Sequence, residues 1–416
     1  MTDTVDEAAP QQRERPRVVL GVTGGIAAYK ACEVLRRFSE SGHDVTVVPT
    51  AAALEFVGAP TWAALSGKPV AADVWSRVHE VPHVRIGQEA DLVVVAPATA
   101  DVLARAAHGI ADDLLTNTLL TARCPVVFAP AMHTEMWEHP ATRANVATLR
   151  SRGAVVLEPA VGRLTGRDTG KGRLPDPVEI YEVARQVLAR PGAADLAGRR
   201  VVVSAGGTRE FLDPVRFLGN RSSGLQGYAL ARAALSRGAE VTVVAANVAL
   251  ADPAGAHVVR VTSTAELREA VLREAGSADA VVMAAAPADF RPVAQSTEKI
   301  KKAADGSAPP LALEQNPDVL RELATERRAP GSVVVGFAAE TGDSTGSVLD
   351  LARAKLARKG CDLLVVNDVG GGAVFGSEDN EVVILGADGS SRAVARASKT
   401  DVAHAIWDEV ARRFAH

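Results

Sequence analysis

Two stretches of this chain recur in the same order. SGHDVTVV (41–48) returns as RGAEVTVV (237–244), and ADLVVVAPATAD (90–101) returns as ADAVVMAAAPAD (278–289). Each copy is a short β-branched run set between longer stretches of helical periodicity. Strands that alternate with helices must be joined by crossovers, which builds a parallel sheet with helices on both faces. The pattern predicts strands near 17–23, 44–49, 92–96, 126–129 and 154–157, then a second series near 200–204, 240–245, 280–284, 332–336, 362–366 and 382–385. The expected fold class is therefore α/β, with two doubly wound, Rossmann-like domains. A chain of 416 residues exceeds what one core fills, and an apolar fraction of 47% with only 4% aromatics suits close-packed parallel strands. The expected boundaries are a disordered, charged tail over 1–16, a first domain over 17–189, a linker over 190–198 within ARPGAADLAGRR, and a second domain over 199–416.

Composition excludes several classes. A net charge of −4 gives no general attraction to nucleic acid or to a membrane surface. Arg13–Arg17 before an apolar run imitates the start of a signal peptide, but Gly24-Gly25 interrupts that run and cleavage would remove the first strand. No window approaches the roughly 20 apolar residues that a membrane span needs. Three scattered cysteines (Cys32, Cys124, Cys361) make neither a disulfide framework nor a thiolate metal site, so a reducing cytoplasm is the expected compartment.

The segment GVTGGIAAYK (21–30) turns from a strand into a helix. A dinucleotide fingerprint needs G-x-G-x-x-G and an acidic residue ending the second strand. Here the glycines are Gly21, Gly24 and Gly25 and the second strand ends Val48-Pro49-Thr50, which disfavours a nicotinamide cofactor. Backbone N–H groups and a hydroxyl suit a mononucleotide phosphate such as that of FMN. The Gly-rich basic segment 160–177 lacks periodicity and is expected to be a mobile active-site loop.

GVTGGIAAYK, APATAD (96–101), GIADDLLT (109–116) and PAMHTEMW (130–137) together resemble the homo-oligomeric flavin-containing cysteine decarboxylase family. The resemblance implies a flavodoxin-like domain that binds FMN through Gly24, Gly25, Thr50, Ala98 and Thr99. It also implies a catalytic His83, shortly before the third strand, for a reaction in which the substrate's cysteinyl thiol is oxidised to a thioaldehyde, the carboxylate departs and the ene-thiol is then reduced. Two positions depart from the family. His133 stands where an asparagine holds the substrate carboxylate, and Gly166 where the full decarboxylases carry a cysteine that protonates the ene-thiol.

SAGGTREFLDPVRFLGNRSSGLQG (204–227) repeats a Gly-rich turn, Gly206-Gly207, and adds Ser222-Ser223-Gly224 before a helix over 225–237. Two anion sites suit a triphosphate. With APADF (286–290), EKIKK (298–302), NPDVL (316–320), VGFAAET (335–341) and VVNDV (365–369), the segment resembles the bacterial, CTP-using phosphopantothenate-cysteine ligase family. That resemblance implies nucleotide contacts from Gly206, Gly207, Ser222, Ser223, Phe290 and Phe337. Asp289 would hold Mg²⁺, its alternative role being a helix N-cap. Lys299 would neutralise the α-phosphate with help from Lys301 and Lys302, and Asn220 would steady the acyl-cytidylate.

Together the halves resemble the fused coenzyme A biosynthesis family. The implied partners are 4'-phosphopantothenate, L-cysteine and CTP, in a trimer or a multiple of it such as a dodecamer with paired ligase domains. Three alternatives stay open: an oxidative decarboxylase that releases the ene-thiol, a non-catalytic flavoprotein subunit, and a nicotinamide oxidoreductase.

Overall fold

The computed structural model describes residues 15–70, 82–163, 169–190, 192, 194–301, 310–340, 348–368 and 379–414. The chain separates into two compact units, Met1–Gly192 and Ala193–His416. Of the expected tail, residues 1–14 lie outside the described residues, as do Gly166 and Lys302.

The first unit carries β1 (Arg17–Val22), β2 (Asp44–Pro49), β3 (Leu92–Ala98), β4 (Val126–Pro130) and β5 (Val155–Val156) in one parallel sheet of order β2-β1-β3-β4-β5. Every residue of β3 is buried, the expected fate of a valine-rich strand covered on both faces. Helix Ala28–Glu40 buries Ala28, Ala31, Val34, Leu35 and Phe38, a three-and-four spacing that lays one stripe on the sheet. At Gly21 in β1 an added Cβ would come 2.5 Å from Leu115 Cδ1, so the bare backbone lets helix Leu114–Thr121 pack on the strand.

One expectation fails here. Residues 160–177 are not without structure: Ala160–Arg163 (β6) and Thr169–Arg173 (β7) form an antiparallel hairpin. Its glycines hid it from periodicity. Gly170 and Gly172 lie against Thr134 and Met132, with no room for side chains, and Met132 N–H donates to Gly172 O at 2.9 Å.

The second unit contains β8 (Arg200–Gly206), the short pair β9 (Glu210–Phe211) and β10 (Phe217–Leu218), then β11 (Glu240–Ala246), β12 (His257–Val261) and β13 (Ala280–Met283). A second short pair, β14 (Phe290–Pro292) and β15 (Leu313–Gln315), precedes β16 (Val333–Glu340), β17 (Leu363–Asp368), β18 (Asp379–Gly386) and β19 (Ser391–Ser398). The main sheet runs β12-β11-β8-β13-β16-β17-β18-β19. It is parallel through β17, but β18 and β19 are antiparallel, so the wholly parallel sheet expected from the pattern is corrected to a mixed one. Between β18 and β19 the cause is local: Asp388-Gly389, with Gly389 at φ 84°, makes a tight turn that returns the chain directly. The core cluster joins Val202, Val244, Val281, Val334 and Leu364, which the strand registers place on one face of the sheet, to Leu267 of the helix packed on it.

Candidate functional sites

In an open α/β sheet, ligands bind outside the carboxyl ends of the strands where strand order reverses. The first unit has the flavodoxin order, and its reversal lies between β1 and β3. Thr23 stitches the two strand ends together. Its N–H and hydroxyl reach Pro97 O at 3.3 and 2.7 Å, and its oxygen accepts the Thr99 N–H at 3.1 Å. At Gly24 an added Cβ would meet the Ala52 Cβ at 2.5 Å, whereas nothing lies within 4 Å of one at Gly25. The N–H groups of Gly24, Gly25, Ile26 and Ala27 have no acceptor among the described residues. Four free donors at a helix start, beside open space, fit a phosphate.

Thr50 and Thr99 sit on the same edge as helix N-caps, accepting from Ala53 N at 3.2 Å and Val102 N at 3.4 Å. Capping uses their oxygen lone pairs and leaves the hydroxyl protons to donate. Ala98 completes the turn, its carbonyl accepting from Ala131 N at 3.1 Å. Burial lowers the pKa of Lys30, two turns on from Gly24, with Arg173 adding to the shift and Asp176 opposing it.

His133 follows β4 and caps helix Thr134–Glu138 through its backbone only, its exposed imidazole making no capping bond. The β6–β7 hairpin leans on this turn. Burial would raise the pKa of Glu158, but Arg150 at 2.8 Å and Lys171 at 2.6 Å outweigh it and hold the carboxyl below its usual range, which ties β7 to the strand-end edge. His83 lies on helix Pro82–Glu89, and its side chain is outside the described residues. That helix reaches the strand-starting edge at Glu89, which pairs with Arg17. Running back about 9 Å, at 1.5 Å per residue, it sets the His83 backbone toward the opposite, strand-end edge.

The second unit has the order of dinucleotide-binding folds, with its reversal between β8 and β13. Gly207 bridges to Ala286 there, and Ala286 N–H donates to Gly206 O at 2.8 Å. Gly206, at φ 85°, abuts Ala246 O, and Gly207 N–H is spent on that same oxygen at 3.1 Å. The pair thus supplies room for a close approach rather than a set of donors. Donors come instead from the start of helix Leu225–Ser236, where Ser222 and Ser223 are exposed and Gly224 is the N-cap at φ 79°.

Loops from two parts of the sequence interlock at this edge. Asn220 Nδ2 donates to Pro287 O at 2.8 Å, Ser296 N to Leu212 O at 2.9 Å, and Ile300 N to Asp213 Oδ2 at 3.1 Å. Asp213, fully buried and missed by the sequence reading, accepts from Arg216 Nε at 2.8 Å, while Arg216 Nη2 donates to Ile300 O at 2.6 Å. The Arg216 guanidinium and the backbone donors hold the Asp213 carboxyl far below the usual range. Lys299 and Lys301 flank this anchor and are exposed. Asp289 is exposed in the loop before β14, which corrects its alternative reading as a helix N-cap. Its carboxylate has no hydrogen-bond partner among the described residues. Phe290 is 54% exposed, and Phe337 is half-buried on β16.

These two edges define a class: an α/β enzyme with a mononucleotide site of flavodoxin type followed by a separately cored nucleotide-binding unit. The family model described as Flavoprotein matches residues 6–189, and that described as DNA/pantothenate metabolism flavoprotein C-terminal domain matches 196–414. The coenzyme A biosynthesis bifunctional protein CoaBC of Mycobacterium tuberculosis is 60% identical over 95% of this chain and 96% of its own. That of Mycolicibacterium smegmatis is 60% identical over 95% and 97%, and that of Bacillus subtilis 42% identical over 95% and 96%. The chain belongs to the family of coenzyme A biosynthesis bifunctional proteins. It is a bifunctional enzyme with a decarboxylase and a ligase activity and a flavin cofactor.

Proposed function

We propose that the second unit joins 4'-phosphopantothenate to L-cysteine at the expense of CTP and Mg²⁺, and that the first, with FMN, decarboxylates the product to 4'-phosphopantetheine. The observation that carries this reading is that in both units the motif residues gather at the carboxyl edge where strand order reverses. In the ligase, Lys299 and Lys301 lower the repulsion between the substrate carboxylate and the α-phosphate. Asp289 offers the single carboxylate that suits Mg²⁺ shared with phosphates. Asn220 orients the acyl-cytidylate for attack by the cysteine amine.

In the decarboxylase, the N–H groups from Gly24 to Ala27 and the hydroxyls of Thr50 and Thr99 would hold the FMN phosphate, and Ala98 would line the ring. FMN supplies a two-electron acceptor that later returns the pair. His83 takes the thiol proton, and His133 donates a hydrogen bond to the departing carboxylate. Ile26, Tyr29, Phe56 and Met136, each at least 46% exposed, crowd this edge, and a subunit contact there suits a trimer-based homo-oligomer. The free cysteines suit a reducing cytoplasm.

The test supplies purified protein with 4'-phosphopantothenate, cysteine, CTP and Mg²⁺ and follows the products by mass spectrometry. Phosphopantetheine is the expected product. An ene-thiol two hydrogens lighter would show that Gly166, in place of a proton-donating cysteine, ends the reaction after its oxidative half.

A further inference from the structure

Behind the loop that carries Asp289 runs a buried chain of hydrogen bonds with one direction. Ala288 N–H donates to Thr208 Oγ1 at 2.8 Å, the two hydroxyls of Thr208 and Thr264 meet at 2.9 Å, and Thr264 Oγ1 donates to Glu210 Oε1 at 2.7 Å. The carboxylate can only accept, so the Thr264 proton goes to Glu210, and Thr208 must be the donor to Thr264. Thr264 N–H also donates to Glu210 Oε1, at 2.9 Å. From the other side Asn316 grips the same loop, its Nδ2 donating to Ala288 O at 2.9 Å and its N–H to Asp289 O at 2.9 Å. Thr208, Thr264, Glu210 and Asn316 are 1, 0, 6 and 7% exposed.

We propose that Thr208, Thr264, Glu210 and Asn316 are positioning residues of the ligase, fixing the Ala288–Asp289 backbone so that the Asp289 carboxylate is already aimed at the metal–triphosphate. This rests on the reading of Asp289 given above. Buried polar side chains are a costly way to fill a core unless they are paired, and although Asn316 Oδ1 has no partner among the described residues, the bonded run from Ala288 through Thr208 and Thr264 to Glu210 holds its end point in one geometry. Residues 288 and 289 have three of their four backbone groups spent on it, while the carboxylate is left exposed and unpartnered. That division of labour is what a preorganised ligand requires.

Three variants of the full-length flavoprotein test the proposal: Thr264→Val, which keeps shape and removes the central hydroxyl, Thr264→Ser, which restores it, and Glu210→Gln, which keeps an acceptor and removes the charge. CTP binding is measured calorimetrically across a Mg²⁺ titration, with decarboxylation of supplied 4'-phosphopantothenoylcysteine as a fold control on the same chain. Thr264→Val is expected to raise the CTP Kd and the half-saturating Mg²⁺ at least tenfold. Thr264→Ser is expected to return both to within threefold, and Glu210→Gln to shift both in the Thr264→Val direction. Decarboxylation should stay within twofold throughout.

Unchanged binding in Thr264→Val overturns the proposal, as does equal damage from Thr264→Ser. If Thr264→Val fails to fold, unchanged binding in Glu210→Gln overturns it. Asp289→Asn runs in parallel. Its failure to weaken Mg²⁺-dependent CTP binding would sink the reading of Asp289 itself, whereas a weak Asp289→Asn beside an unaffected Thr264→Val would sink the positioning role alone.

Discussion

Thr23 is 3% exposed and bonds to both Pro97 O and Thr99 N, so its hydroxyl holds the two strand ends between which the proposed flavin site opens. Thr23→Val keeps the volume but strands the Thr99 N–H and takes from Pro97 O the shorter of its two bonds, leaving it the Thr23 N–H, a loss of about 1–3 kcal/mol. A lower unfolding midpoint and a raised FMN Kd, read by flavin fluorescence, are the expected outcome. Asp213 belongs to the same order of detail. Its depressed pKa means that its contribution is present in full above the unfolded value of about 3.9 and is lost as pH falls below it. The stability gap between the native chain and Asp213→Asn is therefore expected to be wide at pH 7 and to narrow progressively as pH falls below about 4, measured by urea unfolding at each pH. Burial pushes the Cys124 and Cys361 thiols up to about 11, which starves them of thiolate at neutral pH. Iodoacetamide at pH 7.5 should leave both unlabelled in the native protein and label both in urea. The cysteines' burial follows from their apolar surroundings in the sequence, but the environments of Thr23 and Asp213 could not be read there, because these two act through partners as far as 87 residues away.

Among elements, helix Leu225–Ser236 depends on Gly227. An added Cβ there would lie 2.5 Å from the Ala205 Cβ and 3.0 Å from the Ala205 Cα on β8. Gly227→Ala forces helix and strand apart, at about 1–3 kcal/mol. Denaturant unfolding should show the loss, and CTP affinity should fall with it, because the displaced helix start carries Ser222 and Ser223. Most sheet strands were legible in advance because Val-rich runs such as LVVVAPA have one stable use in a chain of alternating periodicity, but the edge strands β12 and β19 of the second sheet were not expected. The hairpin β6–β7 and the pairs β9–β10 and β14–β15 were not. They are two to five residues long and take their pairing from the neighbours they lie against, such as Met132 against Gly172.

For the whole molecule, each unit has its own core cluster, Val19, Val95, Leu103 and Phe128 in the first and Val202, Val281 and Val334 in the second. His83→Asn is expected to abolish decarboxylation and leave ligation intact, and Lys299→Gln to do the reverse, both followed by product mass spectrometry. A single substitution that silenced both activities in folded protein would contradict the division of labour. The sequence by itself determined the two-fold plan, the central strands of both sheets and the motifs that end them, but not the edge strands β12 and β19, because strand and helix periodicity and turn glycines are local properties of the chain whereas edge strands take their pairing from a neighbour. Only the tertiary structure decided the strand orders β2-β1-β3-β4-β5 and β12-β11-β8-β13-β16-β17-β18-β19, and with them which strand ends face each other across the reversal. It also decided that Thr208, Thr264, Glu210 and Asn316 act on one loop, because bonds between residues 28 to 80 positions apart exist only once the sheet has brought its loops to a common edge.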